Sequence, residues 1–259
     1  MPGLESIPAW AIAWIAVVML LSGFAHGIIG FGFPIIATPL LALVLDLKTA
    51  VLVILVPTVV VASITTLRGG RLGESIGRYW FLPVVLVAGS YLGTRILIVS
   101  DTAPFILLLA AILFTYLNLD RLGRTNVPVL RRYPVVAGLL FGFVAGLFES
   151  TVNVSGPVLL IYFLLLGISP AALVQTLNLC FVAGKVVQGL AWSVSGGVPP
   201  MYWVYSLPWA LLGVATLFFG ERIRRRTSTA VYLGWLRTFL WAMVILLVFQ
   251  FLRLIWVRS

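Results

Sequence analysis

Acidic residues, histidine and cysteine are scarce in this chain: 7 Asp and Glu, 1 His and 1 Cys among 259 residues. A single thiol cannot form an intrachain disulfide, and Cys180, inside an apolar run, reads as a small buried apolar residue. The few acids and the lone histidine are too scattered to hold a metal ion. They also rule against a membrane enzyme, since no Asp-rich, His-rich or Ser–His–Asp arrangement occurs. No glycine-rich phosphate loop with its Gly-Lys-Ser/Thr ending is present, so ATP is not expected to drive the protein. No catalytic residue, metal or cofactor is expected. Long polar stretches are missing too. With 9% charged residues, nothing in the chain would fold as a separate soluble domain.

What fills the chain is apolar surface: 62% hydrophobic residues and a mean hydropathy of +1.16, well above the roughly half-apolar composition of soluble domains. This is the signature of an integral membrane protein, with one domain and the lipid bilayer as its main partner. The first apolar run has no basic n-region and no small-residue cleavage site. It is expected to stay as a helix rather than be removed as a signal peptide. The net charge of +10 comes from arginines in short loops between oily segments. Without aromatics interleaved on a basic surface, it does not point to nucleic acid.

Ten apolar segments follow one another, at about 9–29, 33–45, 48–67, 79–99, 103–119, 134–148, 155–167, 170–195, 200–220 and 230–252. At a rise of about 1.5 Å per residue a full crossing needs ~20 residues, so the second, sixth and seventh are short. If all ten cross, one side receives Arg68, Arg71 and Arg78, then Arg121, Arg124, Arg131 and Arg132, then Arg222, Arg224, Arg225 and Arg226. The positive-inside rule places those loops in the cytoplasm and both termini outside, in a cell inner membrane or plasma membrane. The count is unchanged if segments 1 and 2 each go partway and meet inside the bilayer.

The short segments adjoin breaks. "FAHGIIGFGFPIIATPLLALVLDLKTAVLVIL" (24–55) is echoed by "GLLFGFVAGLFESTVNVSGPVLLIYFLLLGISPAALVQTLNL" (138–179). In both, a Gly-bearing helix end leads through small or polar residues to proline and a short apolar run, and then a turn opens a long helix. Two halves, 1–120 and 134–259, each with five segments, would enter the membrane with opposite orientations. The expected fold is therefore an all-α integral membrane protein of two inverted repeats, with broken or re-entrant short helices at the repeat interface.

The same residues resemble the TauE/SafE family of sulfite exporters. The likeness rests on "GIIGFGFPIIATPLLAL" (27–43), "LRGGRL" (67–72), "AGSYLGTRI" (88–96) and "GLFESTVNVSGPVLLIYFLLLGISPAALVQTLNL" (146–179), and it covers nearly the whole chain. The family's usual run of adjacent glycines becomes Gly30, Phe31, Gly32, Phe33 and Pro34 here, and the polar "ESTVNVSG" replaces it in the second half. The resemblance implies export, or in some members import, of small sulfur-containing anions such as sulfite or organosulfonates, driven by an ion gradient.

A helix starting inside the bilayer offers unpaired N–H groups and its positive dipole end, favourable around an anion in a wet cavity. Proline suits such a start, having no N–H to lose. Ser155, Gly156 and Pro157 read as cap and first turn of segment 7. For segment 2 that role falls to Pro34 with Gly32 and Phe33, or to Thr38 with Pro39. Alternatively these glycines and prolines only pack and kink helices. Ionisable residues within apolar runs are functional candidates because charge is costly to bury there. Gln175, Asn178, Val182 and Lys185 are spaced to share one helix face, an attractive wall for a small anionic substrate, unless Lys185 snorkels to the interface. Glu149, near Asn153, is placed to carry a coupling proton or ion or to pair with Lys185, or else is a loop carboxylate. His26 sits at the matching break and titrates near neutrality, or is simply hydrogen-bonded in the bundle. Arg237 reads as snorkelling. The function expected is a secondary anion carrier working by alternating access, probed against a passive channel or structural subunit by saturable exchange. The sequence leaves the oligomeric state open.

Overall fold

The computed structural model describes residues 8–224, apart from Arg71, Thr102, 123–131, Gly167, Gly196, Gly197, Pro199 and Pro200, together with scattered residues from Arg226 to Trp256. Arg71, Arg124, Arg131 and Arg225 lie outside the described residues, as does much of the tenth apolar segment. Twelve helices are described: α1 (Ala9–Ile29), α2 (Phe33–Ala42), α3 (Leu47–Val53), α4 (Leu55–Arg68), α5 (Leu72–Tyr79), α6 (Phe81–Val99), α7 (Ala103–Leu122), α8 (Pro134–Val152), α9 (Gly156–Leu166), α10 (Pro170–Val194), α11 (Met201–Tyr205) and α12 (Leu207–Arg224). No strand occurs among the described residues. Five spans, α1, α6, α8, α10 and α11 with α12, are long and apolar enough to cross a bilayer, and the bent pair α3–α4 makes a sixth.

Local chemistry sets the ends. α1 stops because Gly30 turns left-handed (φ 85°), and Gly32 (φ 108°) turns again before α2, a pair of conformations that glycine adopts without strain. α8 stops at Asn153 (φ 57°), the one non-glycine with positive φ among the described residues. Asp46 and Ser169 cap α3 and α10 by accepting from Thr49 N–H and Ala172 N–H. Between α3 and α4 the axis bends by 42° at Ile54; Pro57, lacking an N–H, leaves the Val53 carbonyl without its usual donor.

Three expectations need correction. The sixth segment is not short: α8 runs 19 residues, to Val152, because Glu149, Ser150 and Thr151 continue the helix with buried partners. Segment 2 begins at Phe33, with Pro34 in its first turn, and Pro39 lies inside the helix, so Thr38 and Pro39 do not start it. The basic stretch after α4 holds the short helix α5.

Two close pairs frame the bundle. α1 packs along α12 and α6 along α8, while α10 lies between α4 and α6. Both short helices fold back beside the helix before them: Trp14 Nε1–H donates to Leu40 O at 3.0 Å, and Tyr162 O–H to Pro134 O at 2.9 Å. An ion pair between Arg68 and Glu221 (3.2 Å) ties the ends of α4 and α12 together. The burial pattern suits lipid: Trp10, Val84, Val99, Leu211 and Phe219 face outward, while Ser22, His26, Thr94, Glu149 and Lys185 are buried.

Candidate functional site

The two breaks meet in the middle of the bundle, joined by polar side chains. Asn178 Nδ2, on α10, donates to Gly30 O of the first break at 2.7 Å. Asn153, at the second break, donates from Nδ2 to Thr38 Oγ1 of α2 at 3.0 Å. A Cβ on Gly156 would meet Ile35 and Phe31, so the starts of α2 and α9 are neighbours.

Each break is bridged by the last turn of its own incoming helix. In the first, Phe33 N–H donates to His26 Nδ1 at 3.3 Å, and Nε2 lies 3.1 Å from Thr65 Oγ1. Thr65 O–H in turn donates to Val61 O, which assigns the imidazole the Nε2–H tautomer, with Nδ1 accepting. In the second break, Glu149 Oε2 accepts from Ser155 N–H at 3.3 Å and from Ser155 O–H at 2.5 Å. A carboxylate therefore already sits where the start of α9 attracts negative charge.

Lys185 lies fully buried opposite it. Its Nζ is 3.1 Å from Glu149 Oε1, and both side chains have no exposure. It also donates to Asn153 Oδ1, to Gln188 Oε1 at 2.7 Å and to Glu149 O at 3.2 Å. Every partner is an oxygen acceptor, so the nitrogen is held as an ammonium with its three N–H groups engaged. Glu149 Oε1 receives no directed hydrogen bond and faces the ammonium alone. An ion pair this deep persists only when such additional hydrogen bonds satisfy it.

The face of α10 that holds Gln175, Asn178 and Lys185 continues to Gln188, whose Nε2 donates to Ser150 O. Gln175 Nε2 donates to Thr66 O. Val182, on the same face, is only partly buried. Ser150 belongs to this polar core beside Glu149, as do Gln188, Thr65 and Ser90, which the sequence did not single out. Gln188 follows Lys185 by three residues and so continues the helical spacing that had singled out Gln175, Asn178, Val182 and Lys185. Ser90 bonds Ser150 and donates to Gly184 O, and small hydroxyls inside an oily helix carry little sequence signal. Arg237 is exposed.

The family model for the sulfite exporter TauE/SafE matches residues 15–251. The chain belongs to the TauE/SafE family. No curated protein and no solved structure matched it. As a TauE/SafE protein with five or six apolar spans it is a multi-pass membrane protein of a transporter family. Among the described residues no three His, Cys, Asp or Glu side chains gather as a metal site.

Proposed function

We propose that the protein is a secondary carrier that exports a small sulfur-containing anion, sulfite or an organosulfonate, by alternating access, with the polar core around Lys185 as its substrate site. The observation that carries this reading is the buried ammonium of Lys185 at the start of α9, in a chain of the TauE/SafE family. Asn153, Ser155 and Thr38 supply adjustable donors, Gln175 and Asn178 extend the wall, and Gly32, Phe33 and Pro34 form the opposing backbone start. Once Pro34 and Pro157 are discounted, the remaining first-turn N–H groups of α2 and α9 lack intrahelical acceptors and favour an anion.

Alternating access would follow from an inverted repeat, and a constant spacing between the two breaks supports one. His26 and Glu149, Gly30 and Asn153, Pro34 and Pro157, and Asp46 and Ser169 are each 123 residues apart (149 − 26 = 153 − 30 = 157 − 34 = 169 − 46). The packing follows the same exchange. A Cβ on Gly220 of α12 would meet Phe24 O of α1, and one on Gly93 of α6 would meet Leu147 O of α8; Phe24 and Leu147 again differ by 123. Two such halves rocking about a shared site would open it to either side in turn.

For orientation, the Arg68–Glu221 pair joins two of the three basic loops, and Arg78 and Pro134 line one cleft of about 520 Å³. Both favour a single basic, cytoplasmic face with the termini outside. The coupling ion is a proton taken by Glu149. His26 serves the first break as a cap, since protonating Nδ1 would forfeit the bond from Phe33. A thermal-shift screen of the purified protein against sulfite, sulfoacetate, taurine, thiosulfate, sulfate and carboxylates tests the reading. Stabilisation by small sulfur anions is expected, and a preference for a cation or a neutral lipid would refute it.

A further inference from the structure

The second break holds an anion already, and it belongs to the protein. Glu149 Oε1 faces the Lys185 ammonium at 3.1 Å, while Oε2 takes the Ser155 N–H and O–H at the start of α9. An incoming oxyanion would need the same three donors: an ammonium, a helix-start N–H and a hydroxyl. We propose that the Glu149 carboxylate is the resident occupant of the anion site, and that a monovalent oxyanion takes its place only as Glu149 accepts a proton, so that one anion and one proton cross together without net charge, and export is driven by the outward gradient of the anion itself. The inference rests on the carrier reading above and names its coupling and its substrate charge.

The argument is one of buried charge. With Lys185 and Glu149 both ionised the second break is neutral, the Arg224 guanidinium lying instead against Gly30 at the first break. Adding an anion to it leaves one uncompensated negative charge among side chains with no exposure, which is costly in a low-dielectric interior. A proton from water on Glu149 restores neutrality: Lys185 stays an ammonium, Glu149 becomes a neutral acid, and the anion supplies the negative charge. Only an O–H bond to the carboxyl forms, and nothing is oxidised or reduced.

From α10, Glu149 is faced by Lys185 and the buried Cys180 thiol; from α6 the hydroxyl of Ser90 lies beside Gly184 near the Glu149 stem. Asn153 and Ser155 of the break are neutral. Tyr162 of α9 donates to Pro134 O at the other end of α8, and α2 contributes Thr38 through Asn153. A divalent anion would bring one charge more than the single proton offsets, so hydrogen sulfite or a sulfonate fits and sulfate does not.

Isothermal titration of the full-length protein with methanesulfonate and with hydrogen sulfite, in two buffers of different ionisation enthalpy, reads proton uptake directly. About one proton per methanesulfonate is expected, with apparent affinity falling about tenfold for each unit of pH raised. Glu149→Gln, neutral at every pH, should bind methanesulfonate with no pH dependence. In proteoliposomes it should still exchange anions but lose acid-driven accumulation. The wild-type titration stands alone if that variant does not fold. Binding without proton uptake overturns this inference and leaves the carrier reading intact; no binding of either anion at any pH overturns both.

Discussion

Asn153 holds two jobs that pull in different directions. Its backbone sits at φ 57° to end α8, and its side chain donates to Thr38 while accepting from Lys185. Asparagine tolerates the left-handed region better than most residues because its amide bonds locally; here the amide is spent across the bundle instead. Asn153→Gly and Asn153→Ala remove the same side-chain bonds, but only alanine pays for the backbone. The alanine variant is expected to be less stable by about 1 kcal/mol, the left-handed penalty of ~1–2 kcal/mol offset in part by glycine's freer unfolded chain. Thermal unfolding in detergent compares the two; equal midpoints would mean the backbone there is unstrained. Residue identities at this site were legible in the sequence where periodicity carried them. Gln175, Asn178 and Lys185 stood out by helical spacing, whereas the pairing of Lys185 with Glu149, across 36 residues, could be named only as one option among several. Contact between distant segments is decided by packing, which no local pattern encodes.

At the scale of elements, the limits of α1 were plain because Gly30 and Gly32 punctuate an unbroken apolar run. The end of α8 was read four residues early, at 148, because Glu, Ser and Thr look like a loop when their buried partners are unseen. The bend at Ile54 was missed although Pro57 marks it. The packing of these elements turns on close backbone approach. A side chain at Gly220 would run into Phe24 O and Ile28 N of α1, a pattern suited to helix pairs in membranes, where small residues let backbones meet. Gly220→Val is expected to destabilise the protein by about 1–3 kcal/mol, the usual range for overpacking. Gly73→Val, at a site with nothing within 4 Å, should stay within about ±0.5 kcal/mol. Equal losses would show that α1 and α12 are not held by this contact.

At the scale of the whole molecule, the proposed two-half organisation rests in the sequence on a weak echo. Its register was not legible there: glycines and prolines recur too often in oily helices to fix an alignment, and the caps and buried partners supply what letters alone do not. The proposed orientation has a direct consequence. Cysteines introduced at 68–78, 120–133 and 221–229 should react with an impermeant thiol reagent only from the cytoplasm, and cysteines at the two termini only from outside. Labelling of the 120–133 loop from outside in intact cells would reverse that assignment. Because Cys180 is buried, the native background should be low.

The central claim is that Lys185 draws the substrate anion into the core between the two breaks, and counterflow of radiolabelled sulfite in proteoliposomes tests it most directly. The wild-type protein should load label against an internal pool of unlabelled sulfite and saturate. Lys185→Met, confirmed folded by its elution and helix content, should lose tenfold to a hundredfold in apparent affinity, the worth of a charge-assisted contact of roughly 1.5 to 3 kcal/mol. Counterflow by Lys185→Met at the wild-type rate and affinity would contradict the account.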